Sequence, residues 1–101
     1  MNTDNLVAHA RARFDHEAAK RVLKEKYQAK LTFAYNGGMW RASPEMITFL
    51  SLYGEEEIVI PDLYENPIRV QAGNLCLAMK QRWQEQTNAW QVEYEQLSNK
   101  R

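Results

Sequence analysis

Between Gly73 and Leu97 apolar residues recur at Leu75, Met79, Trp83, Trp90, Tyr94 and Leu97, in steps of four, four, seven, four and three. That spacing lays one apolar stripe along a helix of roughly seven turns. The segment holds no proline, and its single glycine opens it. A second long helix is predicted over residues 4–29. There Leu6, Ala10, Phe14, Ala18 and Val22 form a stripe, with Ala19, Leu23 and Tyr27 beside it. Thr3 and Asp4 are its candidate N-caps. Five alanines between Ala8 and Ala19 favour the helix and leave room for a close neighbour. Arg13 with Glu17 and Arg21 with Glu25, each pair four apart, support its outer face. The two long helices are expected to pack side by side, with Trp83 and Trp90 seated in the alanine-rich groove.

The middle of the chain alternates with a shorter period. In LTFAYNGGMWRA, Asn36-Gly37 supplies the positive φ angles of a two-residue type I′ turn. That loop sets Phe33 opposite Trp40 and Leu31 opposite Ala42, with Thr32 and Arg41 on the other face. Ser43-Pro44-Glu45 reads as a helix start, followed by Met46, Ile47, Phe49, Leu50 and Tyr53, with Gly54 placed to end it. Being apolar nearly all round, this short helix is expected to be buried between layers. Ile58-Val59-Ile60 and Ile68-Arg69-Val70, joined through PDLYENP, read as a second hairpin with Ile58, Ile60, Ile68 and Val70 inward. The last helix opens near Gln71 to Asn74. The order is α-ββ-α-ββ-α, a single α+β domain over residues 1–101 with two long terminal helices packed together.

Composition changes little in that picture. With 45% hydrophobic and 26% charged residues the chain is globular in character, and its formal net charge of zero excludes a polyanion binder acting through bulk charge. The charge is unevenly spread. Residues 1–42 carry eight Lys or Arg against four acids, residues 43–66 six acids and no base, and residues 67–101 five bases against three acids. A single cysteine, Cys76, excludes an intramolecular disulfide and a cysteine-rich zinc site, and fits a reducing compartment. No apolar run nears the roughly 18 residues of a membrane span, and NTDNLVAHARAR offers no secretory apolar core. Cytoplasmic localisation without a membrane partner is the expectation.

Candidate chemistry is sparse. His9 and His16 stand seven apart on one helix face, about 10 Å along the axis, whereas a two-histidine metal site on one helix uses a spacing of four. Two surface histidines is the simpler reading. Cys76 lies beside the apolar stripe, far in sequence from either histidine, and reads as a small buried hydrophobe. Glu55, Glu56 and Glu57 read as a solvated run that guards an edge strand. NGG is followed by a strand, unlike a phosphate loop. We therefore expect no catalytic, cofactor or metal site. Two interaction sites remain as candidates. Leu63 and Tyr64, on a loop stiffened by proline at both ends, could meet a partner, as could Trp83 and Trp90. Arg13, Lys20, Arg21 and Lys24 on the first helix are the candidates for nucleic acid, although Asp15, Glu17 and Glu25 interleave with them.

Taken together, FAYNGGMWRASPEMITFL, IPDLYENPIRV and LCLAMKQRWQEQTNAW resemble small uncharacterised proteins of T4-like tailed phages, especially those of marine cyanobacterial hosts. The resemblance runs over most of the chain and carries over no binding or catalytic residue. It implies a virus-encoded accessory, assembly or virion-associated protein acting in the host cell, and the lack of a catalytic constellation makes a non-enzymatic one the expectation. Surface accounting adds a homodimer. Leu77, Ala78, Ala89 and Val92 lie off the stripe of the last helix, and Val7, Leu23 and Tyr27 off that of the first, so one helix pair cannot cover them all. A twofold partner would cover the surplus, building a four-helix bundle; the alternatives are another phage protein as partner, or a monomer in which the ββαββ middle folds over both helices.

Overall fold

The computed structural model describes residues 3–99 and shows the α+β order expected. Helix α1 spans Thr3–Ala29, and hairpin strands β1 (Thr32–Tyr35) and β2 (Gly38–Arg41) follow. Helix α2 (Pro44–Ser51) leads to β3 (Glu57–Pro61) and β4 (Pro67–Gln71), and helix α3 (Ala72–Asn99) closes the order. The side chains of the expected caps, Thr3 and Asp4, fall outside the described residues.

The first hairpin turns on Asn36 (φ 51°) and Gly37 (φ 81°), both left-handed as a type I′ turn demands. Phe33 pairs with Trp40, and Ala42 N donates to Leu31 O at 2.9 Å, so all four apolar side chains enter the core as predicted. The Trp40 ring lies over Gly38, where an added Cβ would come within 3.1–3.2 Å of the indole, and Trp40 Nε1 donates to Tyr35 O at 2.8 Å. A small residue at Gly38 lets the indole close down on its own strand. At Gly37 there is open space, so the requirement is one of backbone alone. Gly37→Val is expected to cost about 1–3 kcal/mol in urea unfolding, the usual strain of a β-branched residue held at positive φ, and Gly37→Asn clearly less.

The second hairpin forms as expected, and its register pairs Ile58 with Val70 and Ile60 with Ile68. Each hairpin is a separate two-stranded sheet. Neither would be stable alone. They are joined side by side through the loop after β3 and through Asn36 Nδ2, which donates to Arg69 O at 2.9 Å. Behind them runs α3, which brings Leu75 and Met79 into the core with Trp40, Leu50 and Val70, all five fully buried. Gln71 starts α3 by accepting from Asn74 N at 2.6 Å, and Ala72 N donates to Glu56 O.

Two expectations fail here. Ser43 caps α2 by accepting from Met46 N and Pro44 follows as expected, but α2 is not buried on all sides. Only Leu50 is fully buried, and Phe49, Leu52 and Tyr53 are exposed. An eight-residue helix resting on α3 has one face to bury, and the other face stays exposed at Phe49 and Ser51. Phe49 and Tyr53 pack on each other instead, edge to face at 5.2 Å.

The second failure is the phase of α1. The helix does lie along α3, yet the face it turns inward holds Leu23 and Tyr27. The predicted stripe is outside: Leu6, Phe14 and Val22 are 53%, 70% and 64% exposed. The reason lies just past the helix end. Leu31 is committed to the core by the hairpin, and four-residue steps back from it reach Tyr27, Leu23 and Ala19. Trp83 and Trp90 accordingly meet Tyr27, Gln28 and Leu31, not the alanines.

Candidate interaction surfaces

The contact between the long helices is short and well defined. Glu93 accepts from Lys26 Nζ at 2.8 Å and from the Tyr27 hydroxyl. Ala19 and Leu23 face Glu93, Gln96 and Leu97 across a shallow groove. Because the helices run antiparallel, Asn99, six residues beyond Glu93, is level with Arg21, six residues before Tyr27. From Leu6 to Asp15 every residue of α1 is exposed, and among the described residues no other element packs over them. The molecule is accordingly drawn out to 66 × 24 × 19 Å, with the first half of α1 standing off as an arm.

That arm has an outward apolar ridge. Nine residues at about 100° each place Phe14 on the side of α1 opposite Leu23 and hence away from α3. Leu6, Ala10, Phe14, Ala18 and Val22 follow one four-residue row across this side. Val7 beside it is also exposed. Of the four off-stripe residues of α3, Leu77 and Val92 are exposed, while Ala78 packs on the core and Ala89 is half-buried; Leu23 and Tyr27 of α1 are covered by the chain itself.

The loop between β3 and β4 is the second surface, and it is held by one carboxylate. Asp62 is the one buried charged side chain among the described residues, at 8% exposure. Its Oδ1 accepts from Tyr64 N (3.0 Å) and Asn66 N (2.9 Å), and its Oδ2 from Met39 N (3.0 Å) on the other hairpin. Leu63 N returns a bond to Met39 O at 2.9 Å. The backbone N–H groups of Asn66, Met39 and Tyr64 together hold the Asp62 carboxyl below its usual pKa. The result is a rigid loop with Leu63 and Tyr64 pointing out, Tyr64 at 69% exposure. The structure thus places these two candidates on the surface. The sequence signal for this role is an aspartate two residues before Tyr64 and four before Asn66.

Trp83 and Trp90 are half-buried and line a small groove of about 60 Å³ with Tyr27, Gln28 and Leu31. Trp83 packs against the core, so most of its surface already serves the fold. Arg13, Lys20, Arg21 and Lys24 are all exposed on α1. Lys20 stands 3.8 Å from Glu17. Cys76 is buried with Sγ 3.6 Å from Ile47 O. His9 and His16 line the open side of the arm, and among the described residues no three His, Cys, Asp or Glu converge on a metal-sized site. No helix among the described residues is long and apolar enough to cross a membrane.

The ionic contacts predict a pH profile. Hydrogen bonds from Lys26 and Tyr27 hold Glu93 below its usual pKa, and the Glu93 carboxylate raises both Lys26 and Tyr27. The lowered carboxyls, Asp62 and Glu93, stabilise the fold above their unfolded pKa of about 4, and that contribution is lost as pH falls through the folded values. The raised Lys26 and Tyr27 stabilise it below about pH 10, and that is lost as pH rises through their folded values. Melting temperature should be level between about pH 5 and 9 and fall on both sides. Asp62→Asn, which turns an amide N–H toward backbone donors, should lower it at pH 7 and flatten the acid limb.

Neither a protein-family model, nor a curated protein, nor a solved structure matches this chain.

Proposed function

We propose that this chain is a non-enzymatic interaction protein that works as a homodimer, an accessory, assembly or virion-associated protein of a tailed phage. The observation that carries the interaction reading is the arm. Its ridge carries Leu6, Phe14 and Val22 exposed, on the side of α1 turned away from α3. A lone helix of this length gains little from its own hydrogen bonds and draws its stability from packing. Large aromatic and aliphatic side chains on such a helix mark a surface awaiting a partner. The Leu63–Tyr64 loop, held by Asp62, is a second contact point, suited to a different phage protein. The phage assignment itself rests on the resemblance of the three sequence stretches.

Light scattering on the full chain tests the dimer. The mass should rise from 11.9 kDa toward twice that value as concentration increases through the micromolar range. A mass fixed at 11.9 kDa throughout would remove the reading.

A second reading is nucleic-acid binding. It is favoured by Arg13, Lys20 and Lys24, which fall on one exposed side of α1 at steps of seven and four. Binding of DNA or RNA that weakens steeply with salt, and that is lost when these three are changed to Gln, would support it.

A further inference from the structure

We infer that the outward ridge of α1 pairs with the same ridge of a second copy, antiparallel, about a twofold axis at Phe14. The inference rests on the dimer reading above and assigns its interface and register. The row reads the same from either end: Leu6 and Val22 outermost, Ala10 and Ala18 next, Phe14 in the centre. An antiparallel copy therefore sets Leu6 against the second copy's Val22 and Ala10 against its Ala18. The two phenylalanine rings pass side by side at the axis, each over the small alanines of the facing helix. Rows of four-residue spacing are the surfaces by which helices most often pack, and alanines let the axes come close.

Charge fixes the direction. Arg11 and Arg13 precede Phe14, while Asp15 and Glu17 follow it. Among the described residues Arg11, Arg13 and Asp15 have no ion-pair partner within the chain. In the antiparallel pair the basic segment of each helix lies against the acidic segment of the other. In a parallel pair arginines would face arginines and acids would face acids, which is unfavourable. Leu6 to Val22 spans about 24 Å, a contact shorter than most stable interfaces provide, so association in the micromolar range is expected. Because each dimer holds two copies of Phe14 at its centre, Phe14→Glu should weaken association about 100-fold. The position is 70% exposed in the single chain, so dilute melting temperature should not change.

The register is tested with single-cysteine variants and a short bis-maleimide, the buried Cys76 being left in place and the unaltered chain serving as control. Phe14→Cys should cross-link to itself. Ala10→Cys and Ala18→Cys should cross-link with each other when mixed, and poorly alone. Self-linking of Ala10→Cys as efficient as the mixed reaction would overturn the antiparallel register. A chain that scatters as a dimer but gives no link at any of these positions, and that dimerises unchanged as Phe14→Glu, would place the interface elsewhere while leaving the dimer standing. A chain that remains monomeric would remove both.

Discussion

Trp40→Ala should destabilise the protein by about 3–5 kcal/mol, the usual cost of emptying a fully buried large aromatic site. Trp40 is 2% exposed and makes three separate contributions. Its ring belongs to the core cluster that includes Met79 and Leu50, its face covers Gly38, and its Nε1 donates to Tyr35 O at the turn. Typical domains hold only about 5–15 kcal/mol in total, so a large share of the stability would go with one side chain. Trp40→Phe should recover most of the packing and lose the hydrogen bond, landing between the two in a urea titration. A loss below about 1 kcal/mol for Trp40→Ala would mean that the hairpin does not face the core.

The second large effect separates the two sides of α2. Leu50→Ala should cost about 2–5 kcal/mol, since Leu50 is completely buried against α3 and the hairpins. Phe49→Ala, one residue away, should cost clearly less, because Phe49 keeps 38% of its surface exposed and stacks edge to face on Tyr53, outside the core. Equal losses at the two positions would restore the fully buried helix that composition alone suggests.

That contrast shows where the sequence is legible. The first hairpin is legible to the residue, because Asn-Gly demands a particular turn and a period of two admits one register with the apolar side inward, whereas the second shows its inward face but not its pairing. The cap of α2 was readable for the same reason: Ser43-Pro44 is local chemistry. The phase of α1 was not. Two apolar rows run along that helix one residue apart, and periodicity cannot say which one the rest of the chain will cover. Leu31 decides it, through a hairpin that anchors the end of the helix. The apolar composition of α2 misled in the opposite direction, since burial needs a neighbour as well as a hydrophobic residue. Asp62 was hidden because its third partner, Met39 N, is distant in sequence and reached only after both hairpins form. The exposure of Leu63 and Tyr64 follows from their proline-flanked loop, whose shape is held by that carboxylate.

The central claim is that the arm of α1 is covered by a second copy of the chain. Hydrogen exchange of the α1 amides between residues 6 and 20, measured on the full chain from low to high micromolar concentration, tests it most directly. Fast exchange at the lowest concentration and protection that grows with concentration, centred on Phe14, is the predicted result. Exchange in this segment that does not change with concentration, while the core amides around Leu75 and Met79 stay protected, would contradict it.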